Sequence, residues 1–333
     1  MWNFDIENLH NELKEVSDYQ IGPDILKLHY SELSDLTYYL QSINHLLLEI
    51  SVAPSDFQLY CWETDVVDIP IPNLLLNWEN IDPYNGQLLG LPNGLIGVKN
   101  SNEKSFIWID KANKSIFYVL ENIRFITHNE LVAPFRSIFH LWYEDSPFFM
   151  CHAAGIAIND QGILLTAKGG SGKSTSSLAS IQHGLNYAGD DFLLVDTQNC
   201  IAYSLYHVLK LDIPQFEMFP ELKPYIENIE STPREKGQVF LNKLYPGQMC
   251  LKFQIKALLI PVFSKGIDTH VRQCSKSEAI KALVPSSIWI MRGSPASATK
   301  MIAFIQKLDC HILSTGTDFR QLSAKIKEVI HEN

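Results

Sequence analysis

Ala167-Lys168-Gly169-Gly170-Ser171-Gly172-Lys173-Ser174-Thr175 is the stretch on which the reading of this chain turns. It follows an apolar run, 163–166, and opens a helical run, 174–183, closed by Gly184 where a C-terminal glycine cap belongs. Ala167 stands in place of a first glycine, and every later position fits the pattern G-x-x-x-x-G-K-[ST]. Glycines at 169, 170 and 172 let backbone N–H groups turn inward around an anion. The N-terminus of the following helix favours negative charge there. Lys173 is then placed to reach β- and γ-phosphates, and Ser174 to put its hydroxyl on Mg²⁺. Gly169, Gly170, Ser171, Gly172, Lys173, Ser174 and Thr175 are the expected residues around a nucleoside triphosphate, taken as ATP, with Mg²⁺ as its companion.

One helix later comes Gly189-Asp190-Asp191-Phe192. Phosphoryl transfer to a hydroxyl calls for a carboxylate that holds the metal and a base that orients or accepts the proton. Two adjacent carboxylates at the start of a strand can divide those tasks. Upstream, His152 lies in Cys151-His152-Ala153-Ala154-Gly155, on a run read as a strand over 148–158. A neighbouring strand would bring its ring beside the aspartates as a hydrogen-bond partner.

This order of parts resembles the catalytic core of HPr kinase/phosphorylase, a family related in fold to phosphoenolpyruvate carboxykinase. The parts are a histidine on a strand, a glycine turn, an apolar strand, the phosphate loop, a helix ending near glycine, and the Asp-Asp pair. Residues 151–191 carry the resemblance. They also look like the HPr-kinase-like serine kinases of peptide-modification pathways, such as lasso-peptide precursor kinases. The resemblance implies an active-site role for His152, phosphate and metal contacts for Lys173 and Ser174, the base for Asp190, and a metal ligand in Asp191. Thr175 stands where that family usually has glutamate, and its later glycine- and asparagine-bearing signature loop is not recognisable. Both departures argue against HPr itself as the acceptor.

The remainder of the chain is consistent with a soluble enzyme. Of 333 residues, 46% are hydrophobic and 19% charged, enough for a real core. A formal net charge of −10 argues against a general nucleic-acid partner or attraction to an anionic membrane surface. The six cysteines are scattered without a CxxC pair, against a zinc site. Neither a signal peptide nor an apolar stretch near the roughly 20 residues of a membrane span is present, so a cytoplasmic location is expected.

Several elements are legible by pattern. Leucines at near-helical spacing predict a helix over 33–50, and 132–143 reads as another, with Pro134 in its first turn. A hairpin is expected over 105–118. Strands are predicted at 163–166, 185–188, 192–195, 251–263 and 287–291, and helices at 296–308 and 318–331. Strands and helices alternate in the second half. The expected class is therefore α/β: a P-loop core with a mixed β-sheet, like the HPr kinase C-terminal domain, over residues 86–333, preceded by an α+β extension over residues 1–85. That extension is a candidate for substrate recognition or homo-oligomerisation. Arg234, Lys236 and Arg292 are weaker candidates for a cationic clamp on the transferring phosphoryl group. Trp108 and the Trp142-Tyr143 pair read as core rather than as adenine platforms.

The function expected from these residues is an Mg-ATP-dependent kinase acting on a serine or other hydroxyl of a peptide, protein or small molecule. The rival is a nucleotide-dependent ATPase or switch that binds a partner protein. No LSGGQ-like signature follows the loop, against ABC-type ATPases. His152 and the Asp190-Asp191 spacing argue against adenylylsulfate- or nucleoside-type kinases.

Overall fold

The computed structural model describes residues 5–31, 36–49, 53–71, 75, 77–102, 104–167, 170–228, 236–264, 266, 268–291 and 293–332. The chain is mixed α/β and divides into two units, Met1–Trp142 and Tyr143–Asn333. The boundary expected near residue 85 therefore falls inside the first unit. The reason is strand pairing: the strands after residue 85 complete the sheet that those before it begin.

In the first unit β1 (Glu15–Ile21), β2 (Asp24–Tyr30), β3 (Phe57–Glu63), β4 (Leu95–Asn100), β5 (Ser105–Asp110) and β6 (Ser115–Leu120) form one sheet in the order β1-β2-β3-β6-β5-β4. The hairpin over 105–118 is present, with Asp110 opposite Ser115. Trp62, Trp108, Tyr60 and Phe117 fill the core on one of its faces, and Tyr143 in the second unit is likewise buried. The helix expected over 33–50 is a short α-helix, Leu36–Leu40, running into a 3-10 helix, Gln41–Leu46; residues 33–35 and 50 lie outside the described residues. The helix expected over 132–143 begins only at Arg136. Pro134 disfavours helical backbone in the residue before it, and Phe135 takes a φ of 59° while its N–H donates to the Tyr39 hydroxyl at 3.1 Å.

The second unit is built on a nine-stranded sheet. Its strands are β7 (Phe148–Cys151), β8 (Ala154–Ile158), β9 (Gln161–Leu165), β10 (Asn186–Gly189), β11 (Leu193–Asp196), β12 (Ile201–Ser204), β15 (Lys252–Phe263), β16 (His270–Gln273) and β17 (Asp309–Thr315). A separate hairpin pairs β13 (Val208–Leu211) with β14 (Gly237–Phe240). The main order is β10-β8-β9-β15-β12-β11-β7, with β17 on β15 and β16 on β17. The long strand β15 runs parallel to β9 on one side and to β17 on the other, and its apolar stretch Ala257–Pro261 is buried on both faces.

Side chains alternate across the sheet and sort into two cores. Ile163 and Leu165 of β9, with Ala257 and Leu259 of β15, pack under the helices Lys173–Gln182 and Phe319–Glu332. Leu164, Leu258 and Ile260 face the helices Lys276–Met291 and Pro295–Lys307. Period-two alternation thus produces helix, sheet and helix layers.

Two local expectations are corrected. The strand expected over 148–158 is interrupted at His152-Ala153, because β7 pairs with β11 whereas β8 pairs with β9 and β10. A tight turn there has the Ala153 N–H donating to the Cys151 carbonyl at 3.0 Å. The strand expected over 287–291 is the end of the helix Lys276–Met291. That helix starts from a reciprocal cap: Glu278 accepts from the Ser275 N–H at 2.9 Å, and the Ser275 hydroxyl accepts from the Glu278 N–H at 3.3 Å. Pro285 lies inside it, and Ser286 donates its hydroxyl to the Leu283 carbonyl at 3.1 Å. Among the described residues no helix is long and apolar enough to cross a membrane.

His207 is buried, at 1% exposure, and burial holds its pKa down from the ordinary 6.5 to about 3. The folded unit therefore keeps the neutral ring, whereas the unfolded chain takes up a proton below about pH 6.5. The stability this neutral ring contributes is complete above that pH and is lost as pH falls toward 3. Thermal unfolding of wild type and His207→Phe across this range checks it: the wild-type midpoint falls more steeply below pH 6.5 than that of the variant.

Candidate functional site

Strand register brings three chain segments to one end of the sheet. Ala154 pairs with Leu165, Gly155 with Gly189, and Cys151 with Leu193. His152, the glycine-rich loop after β9, and Asp190-Asp191 after β10 therefore emerge together. Asn159 and Asp160 close the β8–β9 hairpin with φ values of 48° and 60°, the left-handed pair that a tight two-residue hairpin requires.

The loop passes directly into the helix Lys173–Gln182. Gly172 caps it at φ 97° and Gly170 has φ 80°, both in the left-handed region where a side chain is strained. Gly169 lies outside the described residues. The Ser171 hydroxyl is buried without a hydrogen-bond partner. On the first turn of the helix, Ser174 donates its hydroxyl to Asp190 Oδ2 at 2.6 Å. Lys173 Nζ donates to the Asp190 carbonyl at 2.5 Å and lies 3.4 Å from Asp191 Oδ1 and 3.7 Å from Asp190 Oδ1. Thr175 accepts from Gln215 Nε2 at 2.9 Å.

The two aspartates have different surroundings. Asp190 is 1% exposed, and its Oδ1 is buried without a hydrogen-bond donor. Asp191 retains 20% side-chain exposure and stands among three basic groups. Its Oδ1 faces Lys173 and, at 3.7 Å, His152 Nε2; its Oδ2 is ion-paired with Lys210. Burial alone would raise the Asp191 pKa, but Lys210, Lys173 and His152 together hold it well below the usual carboxylate range. For His152, burial and then the Lys173 charge keep the pKa below its ordinary value, against the pull of Asp191. Its backbone N–H is fixed by donating to the Ser287 hydroxyl at 3.1 Å. Next to it, Cys151 is buried, which pushes its thiol up to about 12 and leaves it a poor nucleophile.

The structure thus brings together His152, Ser171, Lys173, Ser174, Asp190 and Asp191. It pairs Ser174 with Asp190, not with Asp191 as the expected metal set had it. Among the weaker candidates, Arg234 and Arg292 lie outside the described residues, and the strand end that recommended Arg292 is a helix end. Lys236 is ion-paired with Asp212 at 3.5 Å, both side chains about half exposed.

Two further residues belong to the cluster. Lys210 comes from β13, and its signal was a single charge inside the apolar run Val208-Leu209-Lys210-Leu211. Gln215 completes a cap with Asp212, whose N–H donates to Gln215 Oε1 at 2.8 Å. The Asp-x-x-Gln spacing, with Pro214 between, is readable as a helix start.

No family model matches the chain, and no curated protein does. Among solved structures, the HPr(Ser) kinase/phosphatase from Coxiella burnetii is a distant likeness: 14% identity and a TM-score of 0.30 over 55% of this chain and 94% of that one. A likeness of that extent leaves the chemistry of the site to its own geometry.

Replacing Gly172 by alanine puts a Cβ at φ 97°. The expected cost is about 1–2 kcal/mol, the penalty of a left-handed L-residue, read from the midpoint of chemical denaturation. Gly172→Ala as stable as wild type would mean that the loop does not hold this backbone.

Proposed function

We propose that this chain is an Mg-ATP-dependent kinase of the HPr-kinase-like type, with residues 167–175 as a P-loop, transferring the γ-phosphoryl group to a hydroxyl. The observation that carries the reading is the pairing of the Ser174 hydroxyl with the buried Asp190 carboxylate at 2.6 Å, at the head of a glycine-capped helix, with a second, histidine-flanked carboxylate beside it.

The residues present fit the nucleotide and its metal. Ser174 and Asp190 offer hard oxygen donors side by side, and Asp190 Oδ1 lacks a hydrogen-bond donor. Ser171 adds a buried hydroxyl without a partner in the loop. Lys173 and Lys210 already balance carboxylates. A polyphosphate therefore brings more negative charge than these side chains neutralise, which supports a divalent cation bound with it. Bound Mg²⁺ would supply neutralisation of charge on the β- and γ-phosphate oxygens.

The chain's own residues would then act as follows. The loop N–H groups and the helix N-terminus hold phosphate oxygens. Lys173 turns from the aspartates to the phosphates. Ser174 and Asp190 form the metal side. Asp191, the more exposed carboxylate, takes the acceptor hydroxyl's proton at its carboxylate oxygen, while His152 orients it. This exchanges the roles first expected for the two aspartates. The acceptor, on a peptide, protein or small molecule, would approach from the Asp191 side. Residues 1–85 would serve acceptor recognition or homo-oligomerisation. A cytoplasmic location accords with it.

Transfer of label from [γ-³²P]ATP to components of an extract tests the reading, with ADP release measured alongside. A discrete labelled acceptor is expected with wild type, no labelling with Lys173→Met, and a loss of about 100-fold or more with Asp191→Asn, the usual scale for a general base. ADP release without any labelled acceptor, unchanged in Asp191→Asn, would overturn the kinase reading in favour of an ATPase or switch.

A further inference from the structure

Among the described residues, Lys210 is the one cation of the cluster that comes from outside the loop, its helix and the strands beside them. Leu209 and Leu211 are buried in the core, so Lys210, between them, projects from the opposite face of β13. Its strand is anchored at two points: Lys210 is in register with Gln238 of β14, and the Tyr187 hydroxyl of β10 donates to the Val208 carbonyl at 3.2 Å. Asp191 follows two residues after the end of β10, so Lys210 is held beside it by backbone already in place.

The two oxygens of Asp191 are divided between the lysines. Oδ1 faces Lys173 at 3.4 Å, and Oδ2 pairs with Lys210. The Lys173 ammonium, which the loop pattern assigns to phosphate, is thus engaged by an internal anion. Phosphate oxygens that draw that ammonium away compete with the carboxylate for it. The carboxylate remains largely buried and needs a cation.

We propose that Lys210 is a positioning residue of the nucleotide site: it retains the Asp191 carboxylate when phosphate draws Lys173 away. Asp191 competes with phosphate for Lys173, and Lys210 weakens that competition by holding the far oxygen. Lys210 itself makes no contact with the nucleotide. The inference rests on the reading of 167–175 as a nucleotide loop and is independent of whether a phosphoryl group is then transferred.

Equilibrium binding of a fluorescent ADP analogue to the full chain in EDTA isolates the Lys173–phosphate contact from any metal. Asp191→Asn, which removes the competing anion, binds about tenfold tighter than wild type, the effect of removing one charge-assisted contact. Lys210→Met binds several-fold more weakly, and Lys210→Arg binds like wild type. In the Asp191→Asn background, Lys210→Met has no effect. Near-ultraviolet circular dichroism verifies folding of each variant, and Lys210→Gln serves if the methionine variant fails to fold. Lys210→Met weakening binding equally in both backgrounds would place Lys210 on the nucleotide and overturn the proposal. Asp191→Asn binding no tighter than wild type would overturn it too, while leaving the nucleotide loop standing. If wild type binds no nucleotide, or binds it equally after Lys173→Met, the loop reading fails and this proposal falls with it.

Discussion

Two consecutive carboxylates, one fully and one largely buried, have to be held at the end of the second unit's sheet. Most of the local arrangement follows from that constraint. Taking an ion out of water costs several kcal/mol even after relaxation, and a pair at about 4 Å recovers only about 4 kcal/mol at the effective dielectric of a protein. Two lysines, a serine hydroxyl and a histidine ring are therefore assembled from three chain segments around Asp190 and Asp191. His152 is held toward its neutral form, so the charges close with two cations on two anions. The net stabilisation of such a cluster is small. Its worth lies in groups that are charged and aligned before a ligand arrives.

The sheet makes that assembly affordable. Because β9 and β15 are parallel and buried on both faces, the end of β9 is a rigid point from which the loop departs. Antiparallel β8 and β10 bring His152 and Asp190 to the same end, since a chain leaving one end of the sheet must return to it. The helix Lys173–Gln182 is pinned by Leu178, Ala179 and Ile181 in the core, and by Ser323, whose hydroxyl donates to the Ala179 carbonyl at 3.0 Å. Lys173 and Ser174 thus sit on an element that packing has already oriented.

What could be read in advance follows from how local each signal was. The strand, loop, helix and Asp-Asp pair were legible because 163–191 specifies them through neighbouring residues: an apolar run, glycines with positive φ at 170 and 172, a helical run, a glycine cap. The break at His152-Ala153 was not, because it depends on which partners β7 and β8 choose. The helix ending at Met291 was misread because its apolar last turn was weighed without the Ser275–Glu278 cap at the helix's far end. The unit boundary was misplaced because β3 and β6 are 57 residues apart in their pairing, a contact no local pattern announces. Lys210 was missed for the same reason: its significance is the Asp191 carboxylate, and only tertiary pairing of β13 delivers it there.

The pairing of Ser174 with Asp190, against the first expectation, has a simple stereochemical root. Asp190 and Asp191 lie in the bend just past the end of β10, where the chain turns between two strands. Asp190 meets the Ser174 hydroxyl at the head of the helix, whereas Asp191 lies among Lys173, His152 and Lys210. The pattern Asp-Asp alone is symmetrical and cannot say which is which. The direction of β10 decides it, because the first residue beyond that strand is the one that meets the head of the helix packed against the sheet. The same step that buries Asp190 leaves Asp191 partly open, at 20% exposure, so a group entering from solvent meets Asp191 first. For that reason the acceptor side and the metal side of the proposed site fall to residues that are neighbours in sequence yet face different surroundings.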